Sequence, residues 1–283
     1  MVTEDGPKPR SGDIRIIAIA FFFGTFISIV VMSTLGLRLP LTPNDASRDE
    51  SLILALIASL IFAAALTPLA RGIRASGVKR LLTLAAFAYV SFAVVNQIEA
   101  AVYSTISGTP TMLVVFAPPC LLAAGVATWL VRPSNTIDVQ NSVLRGRSIR
   151  KWWWRLLLAL LVLPIIEASS GLIVRPLLES VVEEQAFGLV VPDAIVVIRT
   201  LLLKSGLLLA VTVPIVLTWT KRQRSLIVAL GFAIFVLTGL VGLIQATWWP
   251  ITMRIALSFQ VLLASMAYSW AVVTLLAPRS FEP

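Results

Sequence analysis

An all-α bundle of about eight membrane-spanning helices, with both termini cytoplasmic, is predicted by three features of this 283-residue chain. Hydrophobic residues make up 58% of it and charged residues only 13%, against roughly a quarter charged in a soluble domain. The mean hydropathy is +0.93. The apolar residues also fall in runs of about twenty, the length that crosses a ~30 Å hydrocarbon core at ~1.5 Å per residue.

Taken in order, residues 1–15 read as a short disordered cytoplasmic tail, carrying Gly6, Pro7, Pro9 and Gly12. A single transmembrane domain is expected over 16–277, followed by a short cytoplasmic tail at 278–283. The spans are placed at about 16–37, 52–70, 81–101, 111–131, 154–174, 194–219, 226–246 and 251–276. The first lacks the shorter apolar core and the small-residue cleavage site of a signal peptide, so it is read as a retained span. Only Thr247-Trp248-Trp249-Pro250 separates the last two. That brevity predicts a tight helical hairpin, since proline starts helices more readily than it continues them.

Charge sets the orientation. With the N-terminus in the cytoplasm, 17 of 23 basic residues fall in cytoplasmic segments, and nine of 14 acidic residues fall on the outer side. Every loop obeys this positive-inside alternation, which supports an even number of spans. Seven of the eight tryptophans lie at span ends, where amphipathic indoles favour the headgroup level. The net charge of +9 therefore reflects topology, and nucleic acid is not an expected partner. The expected setting is the plasma (inner) membrane. The expected partners are the bilayer, a small solute, and a membrane-protein partner or second copy.

Several chemistries are excluded. The chain has no histidine and one cysteine, Cys120. Imidazole-liganded metals, Ser-His and Cys-His nucleophile pairs and an internal disulfide are therefore ruled out. No metal, cofactor or catalytic residue is assigned.

What remains is charge inside the spans, where each group costs from about 2.5 kcal/mol unless paired or hydrated. Glu167 lies about 10 Å deep in the fifth span; Arg199 and Lys204 lie about 7 and 15 Å deep in the sixth. Glu167 could pair with either cation. Asn96 and Glu99, sharing a helical face, Arg254 and Gln260 crowd the same leaflet. Glu167, Arg199, Lys204, Glu99, Asn96, Arg254 and Gln260 are the candidate ligand-binding residues of an outward-facing polar cavity. Three cations against two carboxylates favour an anionic or zwitterionic solute. Pro164, Pro118-Pro119 and Pro214 each remove a donor and free a carbonyl one turn earlier.

Other patterns carry less. Leu177, Leu178, Val181 and Val182 share a face opposite Glu179 and Glu183, as in a short interfacial helix. The run Glu183-Glu184-Gln185-Ala186-Phe187 is similar to the paired-glutamate motif of CAAX-prenyl-protease-like intramembrane peptidases. The histidine and following arginine of that family are missing, so membership is not expected. Ser205 beside Lys204 resembles a Ser-Lys dyad, but adjacent helical residues point about 100° apart. Eight spans allow a four-plus-four duplication. The repeated Ile98-Glu99-Ala100 and Ile166-Glu167-Ala168 lie on spans three and five, which do not correspond in that scheme, so the match reads as coincidence. Spans two, seven and much of one lack polar groups and are expected to face lipid.

The function expected is that of a permease or transporter. The alternatives are a non-catalytic assembly subunit of a membrane complex, and a membrane enzyme using Glu99 and Glu167, which requires the two carboxylates within about 10 Å.

Overall fold

The computed structural model describes residues 11–34, 48–104, 110–131, 149–183, 189–190, 192–220 and 222–277, with 173–183 and a few helix-start residues as backbone only. Eight helices there are long and apolar enough to cross a membrane. They are α1 (Ser11–Thr34), α2 (Arg48–Gly72), α3 (Gly77–Tyr103), α4 (Pro110–Leu130), α5 (Ile149–Glu183), α6 (Ala194–Thr218), α7 (Gln223–Gln245) and α8 (Ile251–Leu276). The chain is a multi-pass integral membrane protein. The expected tails beyond Ser11 and Ala277, the connection at 132–148 and the glutamate run at 184–187 lie outside the described residues.

Boundaries differ from expectation in α1 and at both ends of α5, which starts at Ile149 instead of near 154. Helix α1 begins at Ser11, inside the expected tail. Helix α5 does not stop near residue 174 but continues unbroken to Glu183, so the expected interfacial segment is helical as an extension of α5. The α7–α8 hairpin forms as expected: Trp249 N–H donates to the Ala246 carbonyl at 3.1 Å, and Pro250 precedes the first turn of α8.

The helices close into a ring. Helix α1 packs between α2 and α4, α4 against α3, α3 against α6, α6 against α5, α5 against α8, α8 against α7, and α7 against α2. Four phenylalanines join the first half: Phe21 stacks on Phe62 at 3.9 Å, and Phe92 meets Phe21, Phe62 and Phe116 edge-on at 5.0–5.6 Å. Edge-to-face contacts of this kind add about 0.5–1.5 kcal/mol to burial.

Helix α7, expected to face lipid, instead lies deepest. Of its apolar core 67% is buried, against 17% for α5. The sequence misleads here because lipid tails are as apolar as leucine, so an apolar helix suits either surroundings.

The duplication dismissed from the tripeptide match is present in another register. Helices α2, α3, α7 and α6 give matched boundaries 146 residues apart: Arg48 with Ala194, Gly72 with Thr218, and Gly77 with Gln223. The same offset relates Leu130 to Leu276 at the ends of α4 and α8. Both α3 and α7 contain a five-residue π-helical turn, at Val90–Val94 and Val236–Leu240, again 146 apart. Ser59 and Pro68 recur as Ser205 and Pro214. Even the short bridge between loops joins Ile73 to Trp219, which are equivalent positions. The packing pairs repeat too, since α1–α2, α1–α4 and α3–α4 have counterparts in α5–α6, α5–α8 and α7–α8. Each half contributes four of the candidate spans in the same order, the pattern of a parallel repeat.

Close approach fixes two glycines. The ring of Trp219 fills the space a Gly72 side chain would need, which seats the loop bridge. A Cβ on Gly24 would stand 2.5 Å from the Cα of Pro119 in α4. That neighbour is backbone and cannot swing aside, so Gly24→Ala must push α1 from α4. The expected loss is about 1–3 kcal/mol, read as a lower unfolding temperature in detergent, whereas Gly12→Ala, with nothing within 4 Å, leaves the temperature unchanged. Equal behaviour of the two variants would contradict the packing.

Candidate functional site

Among the described residues, most arginines and lysines and most tryptophans lie at one end of the bundle, called here the basic end. The charges inside the spans meet toward the other. Lys204 projects from the buried face of α6, its side chain 8% exposed. Its ammonium donates to Glu99 Oε1 of α3 at 2.5 Å and to Glu167 Oε1 of α5 at 2.5 Å. Both oxygens touch one nitrogen, so they lie no more than about 5 Å apart, twice the 2.5 Å contact. Exposure rises from Lys204 through Glu167 at 18% to Glu99 at 33%, so the cluster is reached from the Glu99 side. Removing these charges from water is unfavourable singly, and mutual pairing with short charge-assisted bonds is what offsets it.

Of the two partners open to Glu167, the structure selects Lys204. Arg199 is exposed on α6. Arg254 is half-buried, and its Nε has no partner among the described residues. Gln260 reaches from α8 to Ser170 Oγ at 3.5 Å, and Ser170 in turn donates to the Glu167 carbonyl at 3.1 Å. Gln260 therefore stands about one turn from Glu167. Asn96 turns elsewhere: its amide donates to Phe92 O at 2.7 Å and to Leu237 O at 3.0 Å. Those carbonyls belong to the π turns of α3 and α7, where widened helical winding leaves backbone groups without their ordinary partners. Asn96 thus ties the two halves at their irregular turns.

The charge balance follows from these placements. Among the described residues the cluster gathers two carboxylates and one cation, so it carries a formal excess of one negative charge, not the surplus of cations counted along the sequence.

Local sequence explains how α6 is held to deliver Lys204. Pro164 has no N–H, so the carbonyl of Leu160, four residues earlier, loses its helical donor. Ser205 Oγ fills that vacancy from the neighbouring helix, donating to Leu160 O at 2.6 Å. This contact argues against a Ser-Lys dyad, because the hydroxyl is committed to a backbone carbonyl and the Lys204 ammonium to two carboxylates. Proline in α5 and serine in α6 together set the register in which Lys204 meets Glu167.

Two groups were not singled out from the sequence. Tyr103, at i+4 from Glu99, shares that residue's helical face; that spacing was the available signal. Further toward the basic end, Ser91, Thr212 and Tyr268 are wholly buried, and their hydroxyls lack a well-formed hydrogen bond among the described residues, although Thr212 and Tyr268 are close enough to interact. Thr212 is eight residues from Lys204, about 12 Å along α6, with Leu208 buried between them. Single hydroxyls scattered through apolar helices give no such pattern in sequence.

No grouping of three or more potential metal-ligating side chains occurs among the described residues. Comparison with protein-family models, with curated proteins and with solved structures finds no match.

Proposed function

We propose that this is a permease of the plasma membrane, with the basic end in the cytoplasm, that carries a small solute bearing an ammonium group between its two four-helix halves. The observation that carries this reading is the Glu99–Lys204 bond, which crosses from the first half to the second. Parallel repeats with a polar site at their interface are the architecture on which carriers rock. A solute ammonium would compete with Lys204 for Glu99 and Glu167, and so loosen the tie between the halves. A zwitterion fits as well, its carboxylate taking up the Lys204 ammonium as it is displaced. The excess negative charge favours these solutes over a simple anion. The buried hydroxyls of Ser91, Thr212 and Tyr268 would offer the next polar contacts inward, past Leu208.

Proteoliposomes on a solid-supported membrane test this directly, challenged in turn with amines, amino acids and inorganic anions. Currents are expected for ammonium-bearing solutes, and are expected to vanish in Glu99→Gln and Glu167→Gln proteins that remain folded. Currents for anions alone, or currents indifferent to both substitutions, would sink the reading.

One observation favours a second reading, an assembly subunit whose charges only hold helices together: Lys204 is already satisfied inside the chain. On that reading the glutamine variants lose stability and no solute gives a current. The carboxylate-enzyme alternative keeps its geometric condition, since Glu99 and Glu167 approach within about 5 Å, but both are committed to Lys204, which leaves neither a free base nor a free acid.

A further inference from the structure

At the basic end a groove opens sideways between α1, α2 and α7. Two adjoining cavities of about 390 and 500 Å³ form it, sharing Pro68, Ser225 and Ala229. Its mouth carries Arg71, Arg224 and Ser225, and its deeper wall Ala64, Val228 and Phe232. From Arg71 to Ala64 is about 10 Å along α2, and from Arg224 to Phe232 about 12 Å along α7. The groove therefore changes from cationic to apolar over the depth at which a bilayer changes from phosphate to acyl chain. Val228 is 61% exposed, so the groove faces the surrounding lipid and not the bundle interior.

Ser225 Oγ is engaged, donating to the Arg222 carbonyl at 2.7 Å, but other polar groups of the groove are less committed. Arg224 is exposed and makes no ion pair among the described residues, and Arg71 meets Asp13 only at 3.4 Å. Trp219, which lines the groove and is 4% exposed, has an indole N–H without a partner among the described residues. Pro68 deprives the Ala64 carbonyl of its ordinary donor. The first turn of α7 adds backbone N–H groups and the positive end of a helix dipole, both suited to phosphate.

We propose that this groove is a binding site for one anionic phospholipid, its phosphate between Arg71, Arg224 and the first turn of α7, and one acyl chain over Ala64, Val228 and Phe232. Helix α2 belongs to the first half and α7 to the second, so the lipid spans the seam between them. The inference is independent of whether the protein transports anything.

Native mass spectrometry of the full chain in detergent, titrated with phosphatidylglycerol or phosphatidylcholine, tests it. One phosphatidylglycerol is expected to be retained about tenfold or more in preference to phosphatidylcholine, since each arginine near the headgroup level contributes about fivefold. Arg224→Gln should cut that preference about fivefold. Val228→Trp, which fills the groove but keeps both arginines, should lower retention of both lipids. Equal retention of the two lipids by the unaltered protein, a preference unchanged in Arg224→Gln, or a retention unchanged in Val228→Trp would overturn the site.

Discussion

Lys204→Gln is expected to destabilise the bundle by about 3–5 kcal/mol, the cost of removing one partner from a buried ion pair. The substitution leaves Glu99 and Glu167 facing one another with no cation between them, where 2.5 Å bonds to a shared ammonium stood before. Adding Glu167→Gln removes one of the stranded charges, and the double variant should recover part of the loss. Adding Glu99→Gln as well should recover more, because a fully neutral cluster has no desolvated charge left. Thermal unfolding of the single, double and triple variants in detergent measures these effects. A Lys204→Gln protein as stable as the parent at neutral pH would show that the triad is not desolvated.

Arg80→Ala should be nearly as damaging, by about 3–5 kcal/mol. Arg80 is only 1% exposed, the largest fully buried side chain among the described residues, and its guanidinium donates to the Ala70 carbonyl at the end of α2. Alanine would leave both a cavity and an uncapped helix end. Arg80→Met separates the two costs. It restores most of the volume and removes a charge that no carboxylate pairs with among the described residues, so only the lost carbonyl bond, about 1–3 kcal/mol, should remain. Chemical denaturation of the three proteins decides the matter; a methionine variant as unstable as the alanine one would mean that packing contributes little. Arg155, bonded to Leu275 O at 3.1 Å, serves the end of α8 in a similar manner. Part of the basic bias at this end thus caps helices.

The span count and the span positions were legible because the bilayer imposes a length and an apolarity that few other settings require. Where Lys204 points was half legible. Depth along a helix follows from residue number, so Glu167 could be placed between Arg199 and Lys204. Direction around the helix axis could not be fixed, since neither cation sits on an amphipathic face, and the structure turns Arg199 outward. Asn96 shows the same limit, being drawn to a π turn that no local signal announces. The repeat was hidden for another reason: leucine, isoleucine, valine and alanine exchange freely at apolar positions, so helices of matching geometry keep only scattered identities such as Pro68 and Pro214.

That repeat bears on how many solutes a chain could hold. The position equivalent to Lys204 is Ala58, fully buried in α2, and the position equivalent to Glu99 is Gln245. The two halves thus match in helix boundaries but not in charge at these positions. A chain built twice over offers one ionic seat instead of two, and a titration of any bound solute should saturate at one per chain.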